Sequence, residues 1–82
     1  MHIPHELPEE FSAQAELIER LRKTNHDFGR LTSRYEEVNR NIHRIESEQE
    51  PADDAVAEAF KKERLRLKDE IASFLVRVER RM

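Results

Sequence analysis

Residues 17–45 read LIERLRKTNHDFGRLTSRYEEVNRNIHRI, and their periodicity decides the fold. Leu17, Leu21, Thr24, Phe28, Leu31, Tyr35, Val38, Ile42 and Ile45 recur at alternating spacings of four and three. That is an a/d heptad pattern, the mark of a helix whose apolar stripe packs against another helix. Thr24 is its one weak member. A disordered chain has no reason to hold phase over four heptads.

A second stripe follows in residues 57–78, where Ala57, Phe60, Arg64, Leu67, Ile71, Phe74 and Val78 keep the same spacings. Pro51 stands between the stripes, and no other proline lies beyond Pro8. Set antiparallel about Pro51, paired residues have numbers summing to about 102. The layers become Ile45–Ala57, Ile42–Phe60, Val38–Arg64, Tyr35–Leu67, Leu31–Ile71, Phe28–Phe74, Thr24–Val78 and Leu21–Arg81, each an a position against a d position. The expected fold is all-α: an antiparallel two-helix coiled-coil hairpin with a helix over 9–49, a turn over 50–52 and a helix over 53–82. Residues 1–8, MHIPHELP, are expected to be an extended lead-in, because Pro4 and Pro8 each disfavour helix in the residue before them. Pro8 suits a first helical turn, with Glu9 and Glu10 placed well against the macrodipole. Asp53 is placed to cap the second helix. Arg64 interrupts the apolar seam, where its stem can pack while the guanidinium reaches a carboxylate, Glu36 or Glu37, on the first helix.

Composition agrees with a single helical unit. The chain has 82 residues, of which 40% are charged and 37% hydrophobic, with one glycine and no cysteine. Without cysteine there is neither a disulfide framework nor a thiolate zinc site. One glycine leaves no phosphate-cradling loop. No apolar run approaches a membrane span. Glu6, Glu9 and Glu10 interrupt any signal-peptide core, so a cytoplasmic location is expected. The formal net charge of −3 argues against generic nucleic-acid affinity.

At residues 60–71 the chain reads FKKERLRLKDEI. This resembles the C-terminal signature of the YdcH family of small bacterial cytosolic proteins, which usually has Leu where Phe60 stands. The matching positions are Lys61, Lys62, Arg64, Leu65, Leu67, Lys68, Asp69, Glu70 and Ile71. His26, Phe28 and Leu31, then Tyr35, Val38, Ile42, Ile45 and Glu46, resemble the family's first helix, so the likeness covers roughly residues 16–75. It implies a helical hairpin in a bacterial cytosol, and no activity. Gly29 stands where a better helix former is common, at a cost of about 1 kcal/mol.

The remaining chemistry-bearing groups are read as follows. His2 and His5 lie on a terminus expected to be unstructured, with no second shell to hold a metal. His26 and His43 fall on outer heptad positions. The run at 61–68, KKERLRLK, has no interleaved aromatic for base stacking, although an RNA-binding hairpin of the Rop type remains the first alternative. Glu46, Glu48, Glu50, Asp53, Asp54 and Glu58 make the expected tip acidic. An acid-tipped hairpin that regulates RNA polymerase is therefore the second alternative. No catalytic constellation, cofactor or metal site is expected, because two helices cannot enclose a ligand pocket. The leading expectation is a non-enzymatic hairpin acting through protein–protein contacts with a cytosolic partner and with itself. In the 102 register Phe11, Leu17 and Ile18 overhang the second helix, while Leu65, Leu75 and Val76 lie outside its seam. These six residues are expected to bury themselves in a homodimer, a four-helix assembly.

Overall fold

The computed structural model describes residues 3–47 and 53–81. Among these, α1 spans Leu7–Glu10, a 3-10 turn Ser12–Gln14, α2 Ala15–Thr24, α3 His26–Glu46 and α4 Asp54–Arg80. The molecule measures 45 × 24 × 20 Å. The expected turn at 50–52 lies outside the described residues.

The two long helices run antiparallel. Phe28 of α3 packs against Phe74 of α4 with ring centroids 4.9 Å apart and planes tilted by 49°, a geometry aromatic pairs favour. Arg64 donates to Asn39 at 3.0 Å. Lys61 lies 3.4 Å from Glu46, and Arg34 pairs with Glu63. Across Phe28–Phe74, Asn39–Arg64 and Glu46–Lys61 the partner on α4 moves back toward its start as the residue on α3 moves forward. Phe28, Tyr35, Val38, Ile42, Leu67 and Ile71 are buried in the core, and Leu21, Leu31, Phe60 and Phe74 pack against it half-buried. Asp53 caps α4 by accepting from the Val56 amide at 2.9 Å, which satisfies one of the donors a helix start leaves free.

The single helix expected over 9–49 is instead divided, and the division changes the architecture. Phe11 ends α1, and Asn25 separates α2 from α3. Asn25 is extended, at φ −127° and ψ 112°, and its side chain accepts from the Phe28 amide at 3.0 Å. Its own amide still donates to the Leu21 carbonyl at 2.8 Å. One residue thus closes α2 and caps α3. The gain is tertiary. Folding α2 back onto α3 buries Ile18 to 3% exposure and lets Arg22 form a two-pronged pair with Glu36, at 2.9 and 3.2 Å. Burial of that one side chain contributes on the order of 1.5–3 kcal/mol. Gly29 makes the approach possible: a Cβ there would stand 3.2 Å from the Arg22 carbonyl oxygen.

The lead-in is not simply extended either. Pro4 and His5 form a turn, with His5 at φ 64°. Residues 3–11 then lie as a strap across α3 and α4. Leu7 is 1% exposed. The Tyr35 hydroxyl donates to the His5 carbonyl at 2.7 Å, and Asn39 donates to the Pro4 carbonyl at 2.9 Å. Lys68 of α4 lies 3.3 Å from Glu10. Among the described residues, four helices, with the short α1 carried in a pinned strap, therefore stand in place of the two-helix hairpin.

Candidate functional site

The outer face of α4 is the most chemically distinctive surface left open. On an α-helix, residues seven and four apart share a side, and Leu65, Ala72 and Val76 fall in such a line. Leu65 is 60% and Val76 45% exposed. Lys61, Lys62 and Lys68 flank the first turns of this line and Asp69 lies beside it. Lys61 is held by Glu46 and Glu58 and Lys68 by Glu10. Lys62 and Asp69 are exposed. The result is an apolar strip with a basic border at its N-terminal end.

The other six-residue expectation divides here. Ile18 and Leu75, placed by the register on an intermolecular surface, are buried in the chain's own core, and Phe11 and Leu17 pack half-buried against it. The overhang that left them uncovered does not exist, because α2 folds back. Only Leu65 and Val76 of that set remain exposed.

Arg64 also differs from expectation. Its partner is the Asn39 side-chain oxygen, while Glu36 is taken by Arg22 and Glu37 lies 3.4 Å from Arg34. Asn39 is 2% exposed and holds Arg64 with one end and the strap with the other. Neither Asn39 nor the buried Thr32 figured in the heptad stripes. Both lie on the side of α3 that the strap and α2 cover. The family-motif residues have separate duties: Leu67 and Ile71 enter the core, Glu70 accepts from Arg66 at 2.7 Å, and Leu65 faces outward.

An open groove of about 810 Å³ lies between α3 and α4 and includes Arg22, Arg34 and Arg66 in its lining. All three are paired with carboxylates, those of Glu36, Glu63 and Glu70. At the expected acidic tip, Glu46 and Glu58 face Lys61 and Asp53 serves as a cap; Glu48 and Glu50 lie outside the described residues. Among the described residues, no group of three or more His, Asp or Glu side chains stands where it could hold a metal ion. His26 is exposed and His43 half-buried.

Two titrating groups record the strap. The Glu10 carboxyl is held below the ordinary carboxylate value chiefly by a hydrogen bond from His5; burial opposes this, and the hydrogen bond and charge of Lys68 add to the lowering. The Tyr35 hydroxyl is pushed up to about 12 by burial and by the charges of Glu10, Glu6 and Glu9.

A family model for proteins of unknown function, DUF465, matches residues 28–75. That is more than half of the chain. The chain belongs to DUF465. The YdcH family, whose signature the 60–71 stretch resembles, is part of DUF465. The matched span takes in α3 from its third residue and α4 as far as Leu75, so the DUF465 portion is the antiparallel pair, and the strap and α2 lie outside it. No curated protein matches, and no solved structure does. No helix among the described residues is long and apolar enough to cross a membrane.

Proposed function

We propose that this DUF465 chain is a non-enzymatic helical adaptor of the bacterial cytoplasm, binding another protein through the outer face of α4. The observation that carries this is Leu65, 60% exposed inside the DUF465 span and in line with Val76. Large apolar side chains in a row on an otherwise charged helix suit a partner helix with its own apolar stripe. Of the border lysines, Lys62 has no carboxylate beside it among the described residues, while Lys61 and Lys68 are already paired, so the apolar row and not charge carries the recognition. An RNA partner is less well supported, since three of the four arginines lining the groove, Arg22, Arg34 and Arg66, already have carboxylate partners, which leaves Arg30 to meet a phosphate there.

The test is capture from native cytosol by the wild type and by Leu65→Asp/Val76→Asp, both checked for helicity by circular dichroism. A protein retained by the wild type and lost by the folded variant supports the proposal. Equal capture by both, or capture of nothing, removes the α4 face from consideration. Fluorescence-polarisation titration with mixed RNA at low and at physiological salt gives the contrary outcome: tight binding with a steep salt slope would transfer the function to RNA.

A further inference from the structure

Residues 15–46 carry two kinds of order that disagree. The a/d stripe Leu17, Leu21, Thr24, Phe28, Leu31 crosses Asn25 without losing phase, as one helix would. The structure nevertheless breaks the helix at that single residue. Neither proline nor glycine occupies positions 24–26, so nothing covalent forbids a helix there. The break is held by the Asn25 cap, by burial of Ile18 and by the Arg22–Glu36 pair.

We propose that Asn25 is an exchange hinge between two copies of this chain. In the exchanged state Asn25 turns helical, and α2 and α3 fuse into one helix over 15–46. Each α2 then takes, on the α3 of a second copy, the place it holds on its own. The occupant follows from identity: the face of α3 that accepts α2 in one chain accepts the same α2 from another. Symmetry closes the pair. The contacts of α2 lie just across the hinge, with the Arg22 carbonyl beside Gly29 and Arg22 on Glu36. Two fused helices crossing antiparallel near the hinge can therefore restore both sets of contacts at once, as an isologous interface requires.

Fusion also joins a helix end to a helix start. The first amides of α3 and the last carbonyls of α2, which a break leaves without intrahelical partners, become partners of one another. A lone open chain would lose the burial of Ile18 and the Arg22–Glu36 pair, and the strap, joined to α2 through residues 12–14, would travel with α2 and give up its contacts with Tyr35, Asn39 and Lys68; only a second copy returns all of these. A connection of one residue between packed helices is the kind of hinge that favours such exchange. This dimer is independent of the α4 face and goes beyond the adaptor proposal.

Sedimentation equilibrium of the wild type, Asn25→Ala and His26→Pro over a wide concentration range tests it. Asn25→Ala removes the cap and favours the fused helix, shifting the open-to-closed ratio roughly tenfold per chain. Two hinges open per dimer, so the dimer dissociation constant should fall about a hundredfold relative to the wild type. His26→Pro suits the closed form, because proline is favoured at the first helical position and Asn25 is already extended, as a residue before proline prefers. The same proline interrupts the fused helix, so this variant should stay monomeric with unchanged helicity. The proposal is overturned if folded Asn25→Ala stays monomeric throughout, or if His26→Pro dimerises as readily as the wild type. Should Asn25→Ala fail to fold, wild type against His26→Pro decides alone: a dimer lost in the proline variant supports exchange, and equal behaviour of the two refutes it.

Discussion

Leu7→Ala is expected to loosen the strap and to be reported by the chain's one tyrosine. Leu7 is 1% exposed, and full burial of such a side chain contributes about 1.5–3 kcal/mol. The other holds on the strap are the bonds from Tyr35 and Asn39, about 0.5–1.5 kcal/mol each, and the partly exposed Lys68–Glu10 pair, about 0–1 kcal/mol. Leu7 thus contributes roughly as much as the rest together. A leucine-to-alanine change in a rigid core costs about 2–5 kcal/mol, but a strap can lift off instead of leaving a cavity. The expected loss is therefore near the lower end, about 2 kcal/mol. Lifting the strap returns the Tyr35 hydroxyl to water and removes the charges of Glu10, Glu6 and Glu9. Its pKa should then fall from about 12 toward the ordinary 10.0. Ultraviolet absorbance of tyrosinate against pH reads this directly. The sign for stability follows. Because the folded-state value is raised, neutral Tyr35 contributes stability that is complete below about pH 10 and is lost as pH rises through about 12. Leu7→Ala should lessen that alkaline loss. A folded Leu7→Ala protein whose tyrosine still titrated near 12 would refute the claim that the strap shields it.

Three other outcomes are expected. Phe28→Ala empties a site of 0% exposure and breaks the stack on Phe74, so urea denaturation should show a loss of about 3–5 kcal/mol. Arg64→Leu leaves the buried Asn39 oxygen without its donor, a cost of about 1–3 kcal/mol offset in part by the apolar side chain placed in the seam, so urea denaturation should show a net loss of about 1 kcal/mol; a loss several times larger would mean that Arg64 anchors the strap through Asn39. Glu10→Gln should be less stable than the wild type at neutral pH, and the gap should close on acidification. The lowered pKa of Glu10 means its contribution is present above the ordinary carboxylate range and is lost as pH falls through the folded-state value; denaturation curves across acid pH check this.

The antiparallel pair was legible because its signal repeats. Phe28 and Phe74 can be matched by counting sevens from either end, and Asp53 announces α4 by its position before a helical run. The break at Asn25 was hidden because the heptad phase runs straight through it, and the competing gain, burial of Ile18 with pairing of Arg22 to Glu36, arises only when α2 meets α3. A weaker local sign did exist: an asparagine followed by His26 and Asp27 is a good helix start. The strap left no periodic trace. Its contacts join a Pro4 and a His5 carbonyl to Asn39 and Tyr35, and backbone acceptors carry no residue identity to recognise. For the same reason Asn39 reads as an ordinary polar position on a helix, though it is buried and doubly engaged.

The strap also has a consequence for the order in which the molecule is made. Glu10 leaves the ribosome long before Lys68, which follows it by 58 residues, and the Tyr35 hydroxyl meets a carbonyl made 30 residues earlier. The strap, made before α3 and α4, is thus among the later segments to be fully pinned, because Glu10 has no Lys68 to pair with until α4 is made. Chains with long-separation contacts close them late. A nascent chain halted before Lys68 would therefore hold its strap by the Tyr35 and Asn39 bonds alone, and the Glu10–Lys68 pair would mark the chains in which α4 has been reached.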